Sequence, residues 1–420
     1  MKIKTKELSI EEVEKLPEEK YIKPKKPNII FKTLLKILSN GDLKATNFTY
    51  NKINMDKLGK KEPCLILMNH SSFIDLKIIS KVFYPRSINI ICTSDGFIGK
   101  KWLMRNLGCV PTNKFVSDAK LVKDMVYCVN TLKDSILMYP EASYSFDGTA
   151  TPLPQTLGKL LKLLKVPVIM VKTYGAFSRD PLYNNLQLRN VKVSADIEYL
   201  LSPQEIQQKT VEELNNILKD KFTFDSFKWQ QENDITIDES FRADCLNRVL
   251  YKCPHCKNEG NLIGKGITIK CNSCNTEYEL TTKGYLNCLN NEGKFNHIPD
   301  WYRWEREEVK QEIDSGNYQL NTEVDIYVMK GTKYIYKVGQ GILTHNNNGF
   351  KLVGCDNKLN YTQSVTSSYS LYADYYWYEI GDVVCIGTNK ILYYCFPKNK
   401  DVVAKTRMAT EELFKKYSVK

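Results

Sequence analysis

Four short apolar runs, each followed by a stretch with helical spacing, do most to restrict how residues 50–230 can fold. CLILMN (64–69), INIICT (88–93), SILMYP (135–140) and VPVIMV (166–171) are continuous rather than alternating, the pattern of strands covered on both faces. Between them FIDLKIISKVF, GKKWLMRNL and LVKDMVYCVNTL read as helices. Strands and helices in alternation predict an α/β domain, a mixed sheet flanked by helices. Near its end a helix start is written into the sequence, with Ser202 as cap, Pro203 at the first position and Glu205 completing a capping box.

The 420 residues give room for about three domains of roughly 150 each. Lys and Arg number 60 against 48 Asp and Glu, a net charge of +12. That balance favours anionic partners, whether acidic lipid headgroups, phosphorylated substrates or nucleic acid, and does not choose among them. The opening MKIKTKELSI lacks an apolar core, so no secretory signal peptide is expected. No run of about 18 apolar residues occurs, which excludes a membrane-spanning helix. Thirteen cysteines in such a chain are expected as reduced thiols or metal ligands. From Lys20 to Asn40 there is no acidic residue; Lys23, Lys25 and Lys26 precede a helical stretch with Ile30, Leu34 and Leu38 spaced by four. Residues 1–49 therefore read as a basic amphipathic segment that either packs on the next domain or lies on an anionic membrane surface.

Asn69-His70-Ser71-Ser72-Phe73-Ile74-Asp75 stands at the end of the first buried strand. A His at a strand end and an Asp one turn into the next helix can fold together, the carboxylate fixing one ring nitrogen as N–H and freeing the other to take a proton. That pair suits activation of an alcohol for attack on an acyl group. Alone, the spacing is better read as a helix cap by Asp75. The neighbours add weight: Pro140-Glu141-Ala142-Ser143-Tyr144-Ser145 follows a later strand, Gly108-Cys109-Val110-Pro111-Thr112-Asn113-Lys114 lies between, and Val166-Pro167-Val168-Ile169 comes last.

In this order, each at a strand end, these segments resemble the four motif blocks of the glycerolipid acyltransferase family, over roughly residues 50–230. The first and third blocks are specific; the second and fourth are loose. The resemblance implies His70 as general base, Asp75 as the residue that orients it, and an acyl thioester, on CoA or acyl carrier protein, as donor. It implies that Glu141 and Ser143 help form the acceptor site and that Gly108 is the glycine of the second block. Two departures matter. The Gly-Thr-Arg that usually follows the Glu is here Ala142-Ser143-Tyr144, and the second block's arginine is absent. The nearest cations are Lys114 and, earlier, Lys100, Lys101 and Arg105; lysine neutralises phosphate as a point charge rather than as a planar fork. The implied reaction moves a fatty acyl group to the hydroxyl of a lysophospholipid, with 1-acyl-sn-glycerol-3-phosphate giving phosphatidic acid as the leading case. A different lysophospholipid or a lipid acceptor without phosphate is the alternative.

Cys253-Pro-His-Cys256 and Cys271-Asn-Ser-Cys274 are separated by fourteen residues. Two tight CxxC turns supply the four thiolates that zinc prefers, with GITIK (266–270) as a strand between them, so residues 245–290 read as a zinc ribbon with a structural metal. A redox CPHC centre is the other reading, and the second CxxC argues against it. His255 between the ligands is taken as a bystander, with Cys245 and Cys288 as spare thiols. Residues 298–313 read as a linker helix capped by Asp300, with Trp301 and Trp304 packing on the ribbon. From 321 to 420, alternations such as VDIYV, KYIYKV and ILYYCF and a final helix from about Val402 read as a small β-rich module similar in shape to pleckstrin-homology-like or GRAM-like domains. The whole is expected to act on the inner face of a membrane, cytoplasmic and peripheral, without nucleic acid as a partner, since no helix-turn-helix or aromatic RNA-reading motif occurs. The competing class is a zinc-dependent lipid- or nucleic-acid-binding adaptor built on an inactive acyltransferase fold.

Overall fold

The computed structural model describes residues 3–116 and 118–418. The chain opens with strand β1 (Thr5–Glu7) and helices α1 (Ile10–Glu14) and α2 (Ile29–Ala45). The α/β unit follows: β2 (Thr49–Ile53), β3 (Leu65–Met68), α3 (Asp75–Val82), β4 (Ile88–Thr93), α4 (Lys101–Asn106), β5 (Cys109–Thr112), α5 (Ala119–Asn130), β6 (Ser135–Met138), α6 (Leu157–Leu164), β7 (Val168–Tyr174), α7 (Ala176–Arg179), β8 (Ser194–Leu201), α8 (Pro203–Gln208), α9 (Val211–Phe222) and α10 (Ser226–Glu232). Its strands lie in the order β2-β8-β7-β3-β6-β4-β5, all neighbours parallel except β7 and β8.

Strand β3 occupies the centre, and all four of its residues are buried. Alternation along the strand sends Leu65 and Leu67 into one helix layer with Met125, Leu161 and Leu214, and Ile66 and Met68 into the other with Ile78, Ile79 and Phe83. A strand covered on both sides has no polar face to write, which is why the run is continuous in sequence. Ser202 accepts from the backbone N–H of Glu205, and the Glu205 side chain returns to the cap, so the capping box forms as the sequence predicts.

Beyond α10, strands β9 (Leu262–Lys265), β10 (Thr268–Cys271), β11 (Glu277–Leu280) and β12 (Leu286–Cys288) make an antiparallel sheet that carries the paired cysteines. Helix α11 (Ile298–Asp314) leads to β13 (Gln319–Met329), β14 (Ile335–Asn346), β15 (Gly349–Gly354), β16 (Leu359–Gln363), β17 (Tyr372–Trp377), β18 (Gly381–Gly387) and β19 (Leu392–Pro397), closed by α12 (Val402–Ser418). These strands order as β16-β15-β14-β13-β19-β18-β17. Trp301 is fully buried, its indole N–H donating to the Lys252 carbonyl at 2.9 Å while its ring meets Tyr278, so it packs on the cysteine sheet as expected.

The structure revises three expectations. Residues 1–49 are not one segment: β1 pairs in parallel with β14, Thr5 opposite Ile335, and Ile10 and Val13 enter the core of the C-terminal sheet. The C-terminal module is not a separate bead either. Val324 and Met408 share one continuous apolar core with Tyr251 and Trp301 of the cysteine region and with Phe146 and Tyr183 of the α/β unit. Asp300 stands in the first turn of α11 and pairs with Arg303 at 2.8 Å; the cap position is His297.

Candidate active site

Because β3, β6, β4 and β5 are parallel, the loops that follow them leave from one edge of the sheet, the edge where open α/β sheets hold ligands. Leu67 is opposite Met138, which sets Asn69-His70 beside Pro140-Glu141; Thr93 is opposite Thr112, which sets Asp95 near Lys114. Asn69 ties the first loop to β7, its Oδ1 accepting from the Thr173 backbone at 2.9 Å.

His70 Nδ1 lies 3.1 Å from Asp75 Oδ2, and the same oxygen accepts the backbone N–H groups of Ser71 at 3.0 Å and Ser72 at 3.2 Å. Asp75 therefore fixes the loop and the ring with one atom, and its carboxylate is spent on them rather than on capping its own helix. With Nδ1 held, Nε2 is the nitrogen able to exchange a proton. Burial lowers the His70 pKa most, contact with Asp75 raises it, and Lys114 lowers it further; the net direction is below the ordinary value of 6.5. The ring is neutral near pH 7, the form a base requires.

The imidazole is sandwiched between Tyr139 and Tyr144, with ring centroids 4.2 and 4.0 Å away and planes inclined by 29° and 27°. Neither tyrosine is readable as a site residue from periodicity; the one available signal was Tyr144 standing where the third block departs from its usual pattern. The Tyr144 carbonyl accepts from Ser143 Oγ at 3.0 Å and from Arg407 of α12 at 3.3 Å, so α12 holds a carbonyl of the loop whose tyrosine stacks on His70. Arg407 is itself buried, paired with Glu411, which also binds Arg306 at 2.7 Å.

His70 and Asp75 line a cavity of about 1750 Å³, well above the roughly 300–1,000 Å³ of ordinary small-molecule sites. Its opposite wall comes from β17 and includes Tyr372, Asp374, Tyr375 and Trp377. Lys114 and Lys100 also line it. The other residues expected at the acceptor site lie elsewhere. Glu141 is buried behind the loop, accepting from His70 N at 3.0 Å and Thr151 N at 2.8 Å, with burial pushing its pKa up to about 7. Ser143 is spent on the Tyr144 carbonyl. Gly108 sits at the start of β5 with φ +82°, where a Cβ would meet Pro27 and the Ile88 carbonyl, so glycine is needed there for the backbone. Lys101 pairs with Glu19, and Arg105 donates to the carbonyls of Ile22 and Lys23, holding the N-terminal segment rather than a substrate.

The Sγ atoms of Cys253, Cys256, Cys271 and Cys274 all lie within 4.8 Å of one another, with Cys253–Cys274 at 3.6 Å and Cys256–Cys271 at 3.7 Å. A tetrahedron with Zn–S bonds of about 2.3 Å has edges of about 3.8 Å, close to these two distances, so the donor set suits zinc. His255 turns to the Tyr278 hydroxyl at 2.9 Å, and neither Cys245 nor Cys288 joins the cluster.

The family whose model matches the chain is described as Acyltransferase, over residues 50–172. The matched residues lie in the α/β unit, the region whose four blocks resemble glycerolipid acyltransferases. No curated protein matches the chain. Among solved structures the chain is similar to the 1-acyl-sn-glycerophosphate (LPA) acyltransferase PlsC from Thermotoga maritima, at 16% identity and a TM-score of 0.36, over 45% of this chain and 79% of that one.

Proposed function

We propose that the chain is an O-acyltransferase that moves a fatty acyl group from a thioester, acyl-CoA or acyl carrier protein, to a hydroxyl of a membrane lipid. The observation that carries this reading is His70, held through Nδ1 by Asp75 at 3.1 Å within the residues that match the acyltransferase model and lining a large cavity. His70 Nε2 takes the proton of the acceptor hydroxyl as its oxygen attacks the thioester carbonyl; the C–S bond then breaks, and the leaving thiolate takes that proton back from the imidazolium. Tyr139 and Tyr144 keep the ring from rotating while it changes charge.

The acceptor expected first, 1-acyl-sn-glycerol-3-phosphate, needs cations at the site. Of the four expected there, Lys101 and Arg105 are engaged elsewhere, and Lys114 and Lys100 line the cavity. The four cysteines would hold a structural zinc, Cys253, Cys256, Cys271 and Cys274 filling all four positions and leaving none open for chemistry. The chain would work as a peripheral protein on an anionic membrane surface, at the inner face.

Purified protein incubated with acyl-CoA or acyl carrier protein and lipid alcohols should yield acylated lipid by mass spectrometry. His70→Ala should lower the rate by about 10²–10⁴-fold, the usual worth of a general base. Full activity in a folded His70→Ala protein would remove the mechanism.

A further inference from the structure

Two side chains of opposite charge type, Lys114 and Asp374, one from each half of the molecule, line the same cavity as His70, and neither has an ion pair within 4.0 Å among the described residues. The Lys114 ammonium lies 4.3 Å from the centroid of the Tyr372 ring and 6.0 Å from that of Tyr144, the ring that stacks on His70. Asp374, from β17, accepts the Tyr375 backbone N–H at 3.0 Å through Oδ1 and is among the residues that line the cavity. Burial pushes the Asp374 pKa up to about 7, Lys114 pulls it down, and Asp95 adds a raising contribution. Behind them Asp95 accepts from the Tyr372 hydroxyl and from the Trp377 indole N–H, fixing the aromatic wall.

An ammonium only donates hydrogen bonds and a carboxylate only accepts them, whereas a hydroxyl does both. A head with neighbouring hydroxyls can accept from Lys114 and donate to Asp374 at once. A phosphate only accepts: it would satisfy Lys114 and, wherever the Asp374 carboxyl is ionised, set like charge against it, with Asp95 close behind. A quaternary ammonium needs an open aromatic face. Here Lys114 covers Tyr372, and Tyr378 and Tyr394 crowd Trp377 with centroids 4.7 Å away.

On the acyl-transfer reading above, we infer that the acceptor is a lipid with an uncharged polyol head, glycerol or sugar, gripped between Lys114 and Asp374. The C-terminal β-rich module then has a definite role, supplying the carboxylate half of the headgroup subsite.

The test uses the full chain, acyl-CoA and acyl carrier protein each as donor, and four acceptors in mixed micelles: 1-monoacylglycerol, a monoacylated glycosylglycerol, 1-acylglycerol 3-phosphate and lysophosphatidylcholine. The better of the two neutral acceptors should exceed both phosphorylated ones in kcat/KM by about tenfold or more, and which one leads separates glycerol from sugar. A phosphorylated acceptor that matches or beats them overturns the inference and leaves the acyl-transfer reading standing. Transfer to none of the four overturns both. Asp374→Asn should narrow the preference severalfold by removing the like charge, with KM for the neutral acceptor rising more than kcat falls. An unchanged preference in folded Asp374→Asn protein also overturns it. If that variant does not fold, the wild-type acceptor ranking decides alone.

Discussion

At His70 three influences compete, and their signs give a pH profile. In the proposed mechanism only the neutral ring takes the acceptor proton, so activity should fall as pH drops through the His70 pKa. Burial and Lys114 push that value down more than Asp75 pushes it up, so the acid limb of kcat/KM should lie below 6.5. Asp75→Asn removes both upward contributions. The limb should then move to still lower pH while the plateau drops strongly, because the amide no longer fixes which nitrogen carries the hydrogen. A limb that stays in place, or moves up, contradicts the electrostatic account even if the rate falls. Glu141 has a different logic. It reads as a substrate residue in the third block, yet its two oxygens hold the His70 and Thr151 backbones. Its influence on acyl transfer would pass through the position of the His70 loop.

Among the elements, the cysteine sheet makes the plainest prediction. Strands β9 to β12 contribute Leu262, Ile269, Tyr278 and Leu286 to the same core as α11 and the C-terminal sheet. Zinc at the four thiolates would hold the two turns that frame those strands. Purified protein should carry about one zinc per chain, and Cys253→Ser should lose it and lower the thermal midpoint of the whole molecule, because binding energy at such a site is folding energy. Metal-free protein with an unaltered melting curve would reject the site. These elements also mark what the sequence could tell. Continuous apolar runs made β3, β4, β6 and β7 legible, since strands covered on both faces leave no other reading. The His70–Asp75 pair was legible because both residues sit on one loop. Strand β1 was not: its three residues are polar and exposed, and it is held to β14, some 330 residues away, by backbone pairing and one surface ion pair, Glu7 with Lys337 at 3.8 Å. Asp374 and Arg407 were invisible for the same reason. Their partners Lys114 and Tyr144 lie more than 250 residues distant, and no local period records such contacts.

Seen whole, β1 joins the C-terminal sheet, and α2 is a helix that shows several apolar side chains to solvent. Ile30, Leu34, Ile37 and Leu38 recur at helical spacing and are 70%, 47%, 58% and 68% exposed, while Ser39 and Leu43 face inward. Trp102, 70% exposed on α4, extends the patch through edge contact with Phe31. Lys32 and Lys36 turn away from it, onto the Pro85 carbonyl and the Tyr84 ring. Among the described residues no helix is long and apolar enough to cross a bilayer, so the patch could enter only the headgroup–acyl boundary. Full burial of one such Ile or Leu is worth about 1.5–3 kcal/mol, and several together would outweigh the cost of orienting the protein. The lysines at 20, 23, 25 and 26 add an attraction to anionic lipid that fades as the Debye length shrinks from about 10 Å at 0.1 M salt to about 3 Å at 1 M. Vesicle co-sedimentation should therefore split into two parts: a salt-sensitive one that needs anionic lipid, and a salt-resistant one lost in Ile30→Ser/Leu34→Ser/Leu38→Ser protein. Deleting residues 1–40 would be a poor test, because it removes β1 from the C-terminal sheet, and that sheet walls the cavity. Surface substitutions leave the fold intact, and equal sedimentation of the triple variant at high salt would assign membrane contact to another face.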